Sequence, residues 1–159
     1  MAALYRLVAK LAFLVLILDQ ASKLWVRLDL FAVDPFGVVK VAPFFNLILR
    51  YNPGVSFSWF ADYGELGRWF LSALTVIIVV VILWWLRSEP RKWPTVGVGL
   101  VVGGALGNLI DRLYIGAVVD FFDFHVSGWH YATFNVADSA IFCGVGFILF
   151  DLFFVKQEK

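Results

Sequence analysis

Three carboxylates stand in one short stretch of this chain, VVDFFDFHVSGWHYATFNVADSA (residues 118–140): Asp120, Asp123 and Asp138, set among aromatic and apolar neighbours. Carboxylates in so apolar a setting are costly unless they are paired or used. Two that converge on one point have a chemical use. One, ionised, takes a proton from a water attacking a carbonyl, while the other, protonated, donates to the developing oxyanion. Their proton affinities are driven apart because both cannot ionise cheaply. Other hydrolytic arrangements fit less well. Ser139 follows Asp138 directly, but His125 and His130 fall in an irregular aromatic segment, and no elbow sequence sets a serine against a base. Two histidines are too few for most metal centres, so neither a metal nor another cofactor is expected. The single cysteine, Cys143, lies in an apolar run and reads as a lone buried thiol.

The elements that must position these acids are set by composition. At 62% hydrophobic residues over 159, the chain carries more apolar side chain than a soluble domain can hide in a core, so it is a membrane protein. A net charge of +1 leaves no electrostatic footprint for nucleic acid. Residues 8–28, 68–87, 95–114 and 138–155 are each near the roughly 20 apolar residues that a hydrocarbon core asks of a helix. The expected fold class is therefore all-α, four transmembrane helices with a small extracytoplasmic β-sheet and an outer loop or helix segment, in one domain over residues 1–159. Arg6 and Lys10 precede an apolar run, but no convincing cleavage site follows, so the first helix is read as retained. Basic residues set the orientation: Arg6, Lys10, Arg87, Arg91, Lys92, Lys156 and Lys159 mark cytoplasmic flanks, and no Lys or Arg occurs from Leu113 to Ala137, which is placed outside.

The segment 29–67 is punctuated by Pro35, Gly37, Pro43, Pro53 and Gly54, which rule out a spanning helix. Within it, GVVKVAPFFNLILRYN (37–52) is rich in β-branched and aromatic residues between turn signals, which predicts a small sheet at or above the outer surface. Trp59, Phe60, Tyr63, Trp69 and Phe70 form an aromatic cluster suited to the membrane interface. The aromatic segment 121–134 is expected to be a loop able to close over the acids and limit water. Gly99, Gly103 and Gly107 recur every four residues, a face on which a neighbouring helix can approach closely.

Ionisable residues at membrane depth cost roughly 2.5–3.5 kcal/mol each on insertion scales unless paired or facing a polar cavity. Asp19 and Lys23, four apart in LDQASK, share a helix face and can pair. Asn108, Asp111 and Arg112 arrive together in GNLIDRL at the outer boundary, where Arg112 can fork onto a carboxylate. If the third and fourth helices are antiparallel neighbours, Asp120 and Asp138 can meet at that boundary; Asp123, three residues beyond Asp120, is then a bystander unless a different helical or loop geometry turns it inward as the partner instead. Two other classes stay open on the residues alone. A small transport subunit would use intramembrane Asp, Lys and Arg as an ion path, though its carboxylates belong near the midplane. A non-catalytic membrane assembly factor is the other.

Taken together, DQASK, YNPGVSFSWF, GGALGNLIDRL, VVDFFDF and FNVADSA, in this order and spacing, resemble the lipoprotein signal peptidase (signal peptidase II) family of the bacterial inner membrane over essentially the whole chain. The resemblance implies an aspartyl endopeptidase that cuts the signal peptide from a prolipoprotein immediately before a diacylglyceryl-modified cysteine. It maps the catalytic pair onto Asp120 and Asp138. It gives Asp19, Lys23, Asn52, Gly54, Asn108, Asp111, Arg112, Asn135 and Ala137 support and substrate-positioning roles. It also implies contact with membrane lipids, sensitivity to globomycin-type peptide inhibitors, both termini in the cytoplasm and a site facing the periplasm. Pro53 departs from the family pattern, where Thr is common between Asn and Gly; it removes a backbone donor and stiffens the turn.

Overall fold

The computed structural model describes residues 2–54, 64–88 and 91–155. In chain order the elements are α1 (Ala2–Trp25), a π-helical turn (Val26–Leu30), β1 (Val38–Ala42), β2 (Phe45–Asn52), α2 (Gly64–Trp85), α3 (Lys92–Tyr114), β3 (Val118–Val126), β4 (Trp129–His130) and α4 (Val136–Phe154). The fold is mostly helical, with one antiparallel sheet in the order β1-β2-β3-β4. Glu65–Trp85, Lys92–Tyr114 and Val136–Phe154 are long and apolar enough to cross a membrane. α1 is as long, but Arg6, Lys10, Asp19 and Lys23 interrupt its apolar surface, and the last two are buried.

α3 is the central helix. It packs against α1, α4 and α2, and most of its length is buried, whereas α2 and α4 turn large apolar side chains such as Trp84, Phe142 and Phe153 outward. Glycine makes the close approach possible. A Cβ at Gly103 would lie 2.7 Å from the carbonyl oxygen of Ala12 on α1. At Gly107 it would collide with the Asp19 carboxylate, so the missing side chain is what lets α1 bring that acid against α3. This is the packing expected from the four-residue glycine spacing.

The sheet expected over 37–52 is present as the β1–β2 hairpin. Val38 pairs with Ile48 and Lys40 with Asn46, with the turn at Pro43 and Phe44. The expectation for 121–134 is corrected. Val118–Val126 is a strand, paired antiparallel with β2 through Asn46↔Asp123 and Arg50↔Asp120, and it is followed by a tight turn into β4. Ser127 and Gly128 in that turn both have positive φ, 49° and 83°, the conformation that matches the twist of a two-residue hairpin. Phe121 is buried with Val26 and Phe31, so this stretch is half core. Cys143 is also corrected: it is exposed on α4, because the face of the helix it occupies points away from α3. Of the predicted aromatic cluster, Trp69 and Phe70 are exposed on α2, while Trp59, Phe60 and Tyr63 lie outside the described residues, as do Lys156 and Lys159.

Candidate functional site

The polar residues gather where the ends of α1 and α3, the start of α4 and strands β2 and β3 meet. At the bottom of the cluster, the Lys23 ammonium is 2.8 Å from Asp19 and 2.8 Å from Asp111, with all three side chains no more than 2% exposed. Removing these charges from water is affordable only because each also has hydrogen bonds. Asp19 accepts from the backbone N–H of Ala137 at 2.9 Å, and Asp111 accepts from the backbone N–H of Val119 at 3.0 Å. α1 thus holds the start of α4, and α3 holds the start of β3. Lys23 also donates to the side-chain oxygen of Asn108 at 2.9 Å.

Asn108 passes the order upward. Its amide nitrogen donates to Asp138 at 2.8 Å, and its oxygen accepts from Asn135 at 3.2 Å. Asn135 is the N-cap of α4. Its oxygen accepts from the Asp138 N–H while Asp138 accepts from the Asn135 N–H, a reciprocal box that sets the Asp138 rotamer. The Asn135 amide also donates to Asp120 at 2.7 Å. Asn108 and Asn135 therefore tie Asp120 and Asp138 into one network, though they are 18 residues apart and on different elements.

The other Asp120 oxygen accepts from Asn52 at 2.9 Å. Asn52 is aimed by its own turn, in which its oxygen accepts from the Gly54 N–H at 2.9 Å. Gly54 has φ 81°, and a side chain there would strike Leu71 of α2, so only glycine closes this turn. Burial pushes the Asp120 carboxyl up to about 6; the Asn52 hydrogen bond opposes this, the nearby Asp138 charge adds to it, and Asn135 and Lys23 offset it further.

Arg112 lies within electrostatic reach of Asp138, Asp111 and Asp120, but it makes no ion pair among the described residues, contrary to the fork expected from sequence. Its Nε–H is buried without a hydrogen-bond partner among them. Beside Asp138 opens an apolar cavity of about 410 Å³ lined by Tyr131, Phe134, Ser139, Phe142 and Cys143. The residues singled out in sequence are thus brought together around Asp120 and Asp138. Asp123 lies outside this network and is hydrogen bonded instead to Asn46 and His130.

Sequence reasoning passed over Gln20. Its amide donates to Asp19, Asp111 and the Gly107 carbonyl, closing the ring around Lys23. A polar amide next to Asp19 in an otherwise apolar helix was the available signal.

The profile of a family described as signal peptidase (SPase) II matches residues 11–154. A lipoprotein signal peptidase of Beijerinckia indica is 42% identical over 142 residues, covering 89% of this chain and 84% of the relative. One of Aeromonas hydrophila is 44% identical over 153 residues, covering 94% and 89%. A bacterial membrane enzyme solved by the in meso method superposes with a TM-score of 0.79 at 28% identity, covering 94% of each chain.

Proposed function

The chain belongs to the signal peptidase II family, and from that membership we propose that it is an aspartyl endopeptidase removing signal peptides from prolipoproteins, with cleavage just before the diacylglyceryl-modified cysteine. The whole chain, residues 1–159, acts as one integral-membrane protease domain. In this reading α1 is a fourth spanning helix, both termini are cytoplasmic, and the acids face the periplasm at the outer surface of the inner membrane. Globomycin-type peptides would compete for the same place.

The observation that carries the proposal is the single network through Asn108 and Asn135 that holds Asp120 and Asp138 together. Four carboxylates, Asp19, Asp111, Asp120 and Asp138, share the region with two cations, Lys23 and Arg112, an imbalance that favours one proton kept by the upper pair. A water between those two acids gives a proton to the ionised carboxylate as its oxygen attacks the scissile carbonyl carbon. The protonated carboxyl donates to the carbonyl oxygen, leaving a neutral gem-diol. On collapse a proton passes to the amide nitrogen and the C–N bond breaks. The free Nε–H of Arg112 is suited to holding a substrate carbonyl in place. The apolar cavity beside Asp138 suits the apolar part of the substrate.

The test is incubation of the purified protein with a diacylglyceryl-modified precursor in detergent micelles. The precursor band shifts with wild type and stays with Asp120→Asn or Asp138→Asn, both of which still insert and bind precursor. Turnover by either variant overturns the pair.

A further inference from the structure

A second cavity, of about 390 Å³, lies on the sheet side of the candidate site and is more polar than the first; Asn46, Arg50, Asp123, His130, Tyr131 and Thr133 line it, with Val38 and Ile48 as its apolar wall. Two features connect it to the acids. Tyr131 is a wall of both cavities, so the two spaces adjoin across one side chain. Arg50 is also the cross-strand partner of Asp120 in the β2–β3 register. Asp138 and Tyr131 line the same first cavity, so an extended chain whose scissile bond sits at Asp120 and Asp138 can pass Tyr131 into the second.

The guanidinium and the carboxylate in this cavity are not paired with each other. Asp123 is buried and already engaged, accepting from Asn46 at 2.9 Å and meeting His130 Nδ1 at 2.7 Å. Arg50 is exposed and has no ion-pair partner among the described residues. His130, half open to solvent, adds a second potential donor, and Thr133 a hydroxyl. The cavity therefore offers an unpaired guanidinium and further hydrogen-bond donors, with its one carboxylate already engaged within the protein, a set that complements an anion.

We propose that this cavity receives the first residues after the modified cysteine and that Arg50 makes it selective for an acidic side chain there. The proposal rests on the peptidase function above, because it takes the lipid-anchored cysteine as the fixed point from which the following residues leave the membrane. The division of labour follows from chemistry. The apolar cavity beside Asp138 accepts what stays in lipid, and the polar cavity accepts what enters water.

The experiment uses the full-length protein in micelles and three lipidated precursors that differ only at the second and third positions after the cysteine, carrying Asp, Ser or Lys. Wild type is expected to process the Asp precursor about three- to fivefold more efficiently in kcat/KM than the Lys precursor, the range of a partly exposed ion pair. Arg50→Gln should bring that ratio to near one and Arg50→Glu should invert it. Thr133→Asp, which leaves Arg50 in place, should lower the ratio on its own. An unchanged ratio in wild type, Arg50→Glu and Thr133→Asp overturns the assignment while leaving the peptidase intact. Absence of any cleavage by wild type overturns the peptidase reading and this one with it.

Discussion

Asp120 and Asp123 are the same residue type on the same strand, three positions apart, and are 2% and 3% exposed. Their carboxyls are nevertheless displaced in opposite directions. Asp120 is pushed up to about 6 by burial, with the Asp138 charge adding to the rise. Asp123 is also pushed up by burial, but hydrogen bonds from His130 and Asn46, with the charges of His130 and His125, outweigh it and hold the group below the ordinary carboxylate range. Surface exposure of the side chain alone therefore does not decide how such an acid behaves. Asp120 lies deeper in the protein, where loss of solvation outweighs its hydrogen bonds and the Asp138 charge adds to the rise; at Asp123, nearer the surface, the hydrogen bonds and histidine charges together outweigh a weaker effect of burial.

The widest contrast lies in turnover. Asp120→Asn is expected to lower it by about 10³-fold or more, given that acid–base participation contributes roughly 10²–10⁴-fold, while Asp123→Asn stays within about fivefold of wild type. Precursor-cleavage rates for the two variants check this, and equal losses would erase the distinction between the acids.

Stability against pH comes next. The folded Asp120 carboxyl titrates at about 6 against 3.8 ordinarily, so the folded chain binds more protons over that window and loses stability as pH rises through it, by ~3 kcal/mol at most. Asp123, held low, contributes stability that is present above the ordinary range and lost as pH falls through its folded value. Thermal melts from about pH 3 to about pH 7 should thus show Asp120→Asn gaining on wild type as pH rises, and Asp123→Asn closest to wild type at the acid end and falling behind it as pH rises from there. Slopes of the same sign would contradict the opposite displacements.

The smallest effects come from the neighbours. Asn52→Ala removes a hydrogen bond that holds Asp120 down, so the alkaline limb of the rate profile, set by loss of the proton the pair keeps, should move to higher pH. His130→Gln removes the corresponding support of Asp123 and should leave that limb where it is. A shared shift would mean that the two acids titrate as one system.

Much of the site was legible in the chain because its parts are local. The i, i+4 pair Asp19 and Lys23, the cap Asn135 with Asp138 three residues on, and the Asn52–Gly54 turn each need only neighbouring residues to define their geometry. Apolar length likewise marks α2, α3 and α4 without any knowledge of their partners. The strand character of 118–126 was missed for the opposite reason. Its partner β2 lies some 70 residues earlier, beyond two helices, and an unpaired apolar stretch with two acids reads as a loop.

The sequence by itself determined that the chain enters a membrane, that carboxylates stand at the end of its third helix and the start of its fourth, and that glycines let helices close on one another. Tertiary structure alone decided which acid met which partner. Lys23 acquired Asp111 as a second carboxylate, Asp120 acquired two asparagine amides and the charge of Asp138, and Asp123 acquired a histidine from the facing hairpin strand. The physical reason is that a carboxylate's proton affinity depends on the few ångströms around it. Those ångströms are filled by residues brought from far along the chain.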